Sequence, residues 1–199
     1  MEPMYAISSS SRRGICRGGF ESRPYMPDFA LAQSELRLSI MKPDRIQSLD
    51  QRRIAELARE ASVAPRRRAH LLLHDGPQDQ VQRLIIMLQP GSYVRPHHHS
   101  QQWEMLVLQQ GCGDVLMFDE LGILRDRIEL SERAPVAQIP VGLWHGFVVR
   151  EPDTAVMEIK PGPYRPNEFA NWAPEEGDPK GTRYVAWAAG ANIGTTWPG

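Results

Sequence analysis

The chain has 199 residues, a formal net charge of −1 and 41% apolar residues. That length supports one domain with a full core, and the near-zero charge excludes a broad electrostatic grip on nucleic acid or on an anionic membrane surface. No apolar run approaches the roughly 20 residues that a bilayer-crossing helix needs; the only cysteines are Cys16 and Cys112, so no disulfide framework is expected and a reducing cytoplasm fits.

Residues 1–40 are rich in Ser, Arg and Gly and carry neither helical nor strand periodicity, which predicts a disordered tail. An Arg- and Ser-rich start can mimic a transit peptide, but Glu2, Glu21 and the prolines weigh against that. Residues 41–62 are expected to form a helix. Ser48 and Gln51 have the spacing of a capping box, Ile54, Leu57, Ala58 and Ala61 make one apolar stripe, and Pro65 ends it. From Arg68 the pattern turns strand-like, through "AHLLLHD", "VQRLIIML", "YVRPHHH", "WEMLVLQQ", "DVLMFD", "ILRDRIEL", "APVAQIP", "HGFVVR" and "AVMEIK". Turn signals such as "QPGS", "QGCG", "DELG" and "PVGLW" separate these runs. About nine strands over roughly 90 residues predict a mostly β sandwich or barrel. A loop rich in proline and aromatics follows Lys160, and residues 181–199 are expected to be a C-terminal tail with a loose end, "AGANIGTTWPG", so the predicted domain is 41–180.

Chemistry concentrates in "PGSYVRPHHHSQQWEMLVLQQG". On a strand, residues i and i+2 share a face, so His97 and His99 project together while His98 points away, to the exposed side. Glu104 falls on the next strand, in one row with Leu106 and Leu108, as an inward-facing position would. "PVGLWHGF" then brings His145 to the head of a later strand. Three neutral imidazoles and one carboxylate make a mixed nitrogen and oxygen site for a divalent transition metal.

These spacings resemble the first cupin motif, from Gly91 through His97, His99 and Glu104 to Gly111, and Pro140, Gly142 and His145 match the core of the second. "RRRAHLLLH", "YVRPHHH", "WHGF" and "EIKPGPYRP…FANWAPEE" narrow the resemblance to WbuC-type cupin metalloproteins, often associated with surface-polysaccharide gene clusters. It covers about residues 41–180. It implies a cupin double-stranded β-helix, or jelly roll, preceded by the N-terminal helix, with the family's ligand positions on His97, His99, Glu104 and His145. Two positions depart from the second motif: Ala134 replaces its first Gly and Val149 its final Asn. Neither supplies a ligand.

Four ligands leave two positions of a roughly octahedral ion open, and Fe, Mn, Ni and Zn all suit the set. The expected activity is a metal-dependent oxygenase or isomerase acting on a small anionic or sugar-like molecule. The alternatives are a non-catalytic, metal-dependent sugar-binding or regulatory cupin and a purely structural metal site. Metal-free epimerase cupins use a His base and a Tyr acid, so a complete ligand set argues against that mechanism. No nucleic-acid or membrane partner is expected; a homodimer is left open. Candidate ligand contacts are Arg95, which faces either the cavity mouth or an external salt bridge, and Tyr93, a hydrogen-bond donor or a core residue. Arg83 and Lys160 join them as charges within apolar strands, Lys160 in step with Glu158. His70 and His74 read as packing or surface residues, Trp103, Trp144 and Trp172 as rim packing, and Cys112 as an inert turn residue.

Overall fold

A computed structural model describes residues 48–199; the predicted tail at 1–40 and the first residues of the predicted helix lie outside that range. Helix α1 spans Gln51–Val63. Its N-cap is Asp50, whose carboxylate accepts from the Arg53 backbone N–H at 2.9 Å, so Ser48 is not the cap. The short Asp side chain reaches the third amide of the first turn, which otherwise has no partner. Ile54, Leu57 and Ala61 are buried, as the apolar stripe predicted.

Ten strands follow: β1 (Arg68–Leu72), β2 (Val81–Leu88), β3 (His97–His98), β4 (Glu104–Gln110), β5 (Gly113–Phe118), β6 (Leu124–Leu130), β7 (Val136–Ile139), β8 (Trp144–Val149), β9 (Thr154–Pro161) and β10 (Glu168–Phe169). Each of the nine expected runs contains a strand, but "YVRPHHH" is strand only at His97–His98, so Tyr93, Arg95 and His99 lie outside it, and β10 arises inside the segment expected to be a loop. The strands form two five-stranded sheets, ordered β1-β2-β9-β4-β7 and β10-β3-β8-β5-β6, with every pairing antiparallel. From β3 to β9 the chain crosses between the sheets at every step except β5 to β6, which stay together as a hairpin in one sheet, and this is the double-stranded β-helix, or jelly roll, expected from the sequence. Gly111, at φ 80°, makes the β4–β5 turn, and a Cβ there would lie 2.5 Å from Thr154 Oγ1; only glycine fits.

The central strands of each sheet are apolar on both faces, because both faces are covered, whereas the edge strands β6 and β7 keep exposed residues. Leu106, Leu108, Val115, Phe147 and Val156 fill the space between the sheets. Leu57, Ile85 and Met87 pack the outer face of the first sheet under α1. The outer face of the second sheet, with Leu116 and Phe118, is covered by a second helix, α2 (Lys180–Gly190), through Tyr184 and Ala188, with Trp172 and Trp197 packed against the cluster. The tail expected from residue 181 is therefore corrected: its first half is helix, held by burial rather than by intrinsic propensity. Among the described residues, no helix is long and apolar enough to cross a membrane.

Leu57 is fully buried between α1 and the sheet. Leu57→Ala should cost about 2–3 kcal/mol, the lower part of the range for buried leucines, because a peripheral helix can settle into the space. Urea denaturation measures it, and a loss below about 1 kcal/mol would show that α1 is not integral to the core.

Candidate metal centre

Both sheets contribute to one buried cluster. His97 opens β3 and pairs across the sheet with His145, the second residue of β8. Glu104 opens β4 in the facing sheet, where it is buried in line with Leu106 and Leu108. His99 lies just beyond β3, and its carbonyl accepts from the Gly142 N–H at 2.8 Å. Gly142, at φ 77°, supplies the tight turn that leads into β8. All four side chains are buried, and one candidate ligand atom from each lies within 4.8 Å of the others.

The donor chemistry fits a divalent ion. His97 Nδ1 is 2.9 Å from the Arg95 carbonyl and His145 Nδ1 is 2.8 Å from the Leu143 carbonyl. A carbonyl only accepts, so both Nδ1 atoms carry a proton, which leaves Nε2 as the coordinating nitrogen of each ring. His145 Nε2 is buried without a hydrogen-bond partner, 3.7 Å from Glu104 Oε2. His99 Nε2 lies 2.6 Å from the same oxygen. An ion about 2.0–2.2 Å from each atom would set them roughly 3–4 Å apart, which small side-chain movements achieve.

Electrostatics keep the site ready for a cation. Burial, reinforced by His145, holds His97 down to about 3, so it is neutral and can ligate. Burial alone would raise the Glu104 carboxyl, but His145 and His99 outweigh it and hold the group well below the usual carboxylate range. His145 feels the converse: burial opposes its protonation, and the Glu104 carboxylate more than offsets that, raising its pKa.

A cavity of about 280 Å³ is lined by His97, Glu104 and His145 of the cluster together with Arg66, Arg68, His70, Arg95 and Glu176. Arg95 reaches this cavity as one of its two readings required. Its Nη2 donates to the Ala170 carbonyl at 2.9 Å, its guanidinium lies 5.2 Å from the centre of the Phe169 ring, and its Nε is buried without a partner. The other three candidate contacts lie elsewhere. Tyr93 directs its hydroxyl to the Pro174 carbonyl at 2.7 Å and packs on Tyr184. Arg83 is exposed on β2. Lys160 is buried with Nζ 2.7 Å from Glu158 Oε1, and it lines a second cavity of about 310 Å³ beside Leu72, Leu84 and Tyr164. His98 is not simply exposed: its ring lies 4.2 Å from that of Trp144 and 3.3 Å from Glu168 Oε2.

Three cavity residues were not singled out from sequence as ligand contacts. Arg68 and His70 alternate on β1, so both face inward, and Arg66 precedes them. Strand alternation in "RRRAHLLLH" was the available signal. Burial, with Arg66 beside it, depresses His70 to about 4, so it lines the cavity as a neutral imidazole.

A family description, Domain of unknown function (DUF6016), matches residues 49–130. No curated protein sequence matches the chain. Solved structures of similar fold include KdgF from Halomonas sp., 21% identical over 52% of this chain and 84% of that one, with a TM-score of 0.42. A sugar phosphate isomerase of the cupin superfamily from Silicibacter pomeroyi is 22% identical over 48% of this chain and 59% of that one, with a TM-score of 0.40. A cupin 2 conserved barrel domain protein from Rhodopseudomonas palustris is 16% identical over 51% and 66%, with a TM-score of 0.42. The likeness concerns the barrel, and no residue role is carried over from these proteins.

Proposed function

We propose that the protein is a mononuclear metalloprotein of the cupin type, holding one divalent transition metal through His97, His99, Glu104 and His145, and that it acts on a small anionic molecule in the adjoining cavity. The observation that supports this most directly is the donor set itself: four buried ligand atoms within 4.8 Å of one another, two of them imidazole Nε2 atoms aimed by backbone carbonyls. A bound ion would supply Lewis acidity or redox chemistry there. The chain's own residues bury the cluster, orient the His97 and His145 rings through backbone carbonyls and place Arg66, Arg68 and Arg95 around the cavity. Oxygenation and isomerisation both suit such a centre. The finer WbuC-type reading, with its link to surface-polysaccharide metabolism, is supported by the sequence segments that carry the resemblance. Elemental analysis of purified protein tests the metal, and turnover or oxygen uptake with small keto acids and acidic sugars tests catalysis.

The protonation pattern gives the pH dependence. His145 must release the proton that Glu104 favours before its Nε2 can ligate, so binding liberates a proton below the raised pKa of His145. Metal affinity should therefore fall as pH drops below the raised pKa of His145, by about tenfold per pH unit for one displaced proton. Competition with a chromogenic chelator between pH 5 and 8 measures the slope; a flat profile would remove His145 from the ligand set.

A further inference from the structure

The cavity that the cluster lines also holds an internal carboxylate, Glu176. Glu176 Oε1 and Oε2 accept from Arg66 Nε and Nη2 at 2.5 and 2.6 Å, and Oε1 also accepts from Arg68 Nη2 at 2.5 Å. Arg68 is held in place by a second bond, from Nη1 to the Tyr93 carbonyl at 2.7 Å. The arrangement is a bidentate fork plus one further donor, the geometry arginines adopt for a planar acid. Two guanidinium groups thus share one carboxylate, and a third, Arg95, lines the same cavity with a buried, unpartnered Nε. Of the other acids there, Glu104 is committed to the histidine cluster and Glu158 to Lys160, so Glu176 is left to balance Arg66, Arg68 and Arg95.

Glu176 sits on a segment, 170–179, that has turns and bends but no helix or strand. That segment is tied down upstream, by Arg95 to the Ala170 carbonyl and by Tyr93 to the Pro174 carbonyl. Gly177, directly after Glu176, has φ 95° in a turn closed by the Asp178 N–H, which donates to the Glu175 carbonyl at 3.1 Å, so release of the carboxylate is a rotation of the Glu176 side chain and not of its backbone.

We propose that Arg66 and Arg68 form the carboxylate subsite of this cavity, that Glu176 fills it in the absence of ligand, and that the natural ligand is a small carboxylic acid which displaces Glu176. The cavity, at about 280 Å³, matches the small end of the range of small-molecule pockets, which starts at roughly 300 Å³, and this suits a compact acid. This inference rests on the preceding proposal only for the location of the ligand beside the metal, and the arginine subsite stands without it.

The test is titration calorimetry of malonate and succinate, with malonamide and succinamide as neutral controls, and metal content measured on the same samples. Glu176→Gln removes the competing charge and should bind the acids about tenfold or more tightly than the parent, since charge-assisted hydrogen bonds to the arginines are freed. Arg68→Gln should lose most of the binding, and the diamides should bind to none of the proteins. Glu176→Asp, which keeps the charge and withdraws it, should shift affinity in the same direction as Gln and carries the test if the Gln variant does not fold. Unchanged or weaker acid binding in the Glu176 variants, or no acid binding in any folded variant, would overturn the subsite. Absence of metal with this binding pattern intact would instead overturn the metalloprotein reading and leave the subsite standing.

Discussion

His145→Ala should purify as a folded protein with almost none of the divalent metal that the parent carries at about one ion per chain. Removing a partner that merely orients a ligand already costs 10–100-fold in metal affinity, so removing the ligand atom should cost about a hundredfold or more. The same holds for His97→Ala and His99→Ala. Glu104→Gln should be as severe, because it takes away the only negative charge of the four-residue set and leaves an amide that coordinates weakly. His98→Ala is the internal control. It sits between two ligand candidates in sequence, yet its ring lies against Trp144 and Glu168, so this variant should keep its metal. Native mass spectrometry gives occupancy and circular dichroism confirms the fold. Full occupancy in any two of the His97, His99 and His145 variants would show the assignment to be wrong.

The part of this site that was legible in the sequence was local. Alternation along "PHHHS" separated His97 and His99 from His98, and the row Glu104, Leu106 and Leu108 identified an inward carboxylate. Alternation reports the face of a sheet and not the depth along the barrel. Glu158 and Lys160 share the inward face as their spacing suggested, yet Glu158 lines both cavities and Lys160 only the one away from the cluster. Tyr93 and Arg95 are likewise two residues apart, but one reaches Pro174 and the other Ala170 and the cavity. The Arg66–Glu176 pair was illegible for a different reason: 110 residues separate its members, and no periodic signal spans such a distance. The helix at 180–190 was missed because "KGTRYVAWAAG" contains a glycine and a threonine near its start and has no side-chain N-cap bond; the apolar outer face of β5 and β8 stabilises it, and that face exists only once the sheet has formed.

Asp114→Ala should be among the most destabilising single substitutions in the protein, costing about 3 kcal/mol or more in urea denaturation. Nothing in the sequence marks Asp114, which reads as the polar edge of the run "DVLMFD". In the structure its carboxylate is buried on β5 and faces two guanidinium groups, Arg127 Nη1 at 2.5 Å and Arg150 Nε at 2.8 Å, with Arg150 Nη2 also in contact. Arg127 in turn donates through Nη2 to the Ala188 and Ala191 carbonyls at 2.6 and 3.1 Å. Those carbonyls lie at the C-terminal end of α2, whose last turn has no basic residue of its own, so the sheet supplies the cation that a helix C-terminus favours. Truncating Asp114 strands two charges and loosens the grip on α2 at once. The arginine side chains keep 20% and 31% of their exposure, and water reaching them holds the estimate at the lower end of the 3–5 kcal/mol typical of a broken buried pair. Asp114 lies on the outer face of its sheet with Leu116 and Phe118, away from the histidine cluster, so metal content in the folded variant should equal that of the parent. A stability loss below about 1 kcal/mol would mean that solvent already screens the pair and that α2 is held by its apolar face alone.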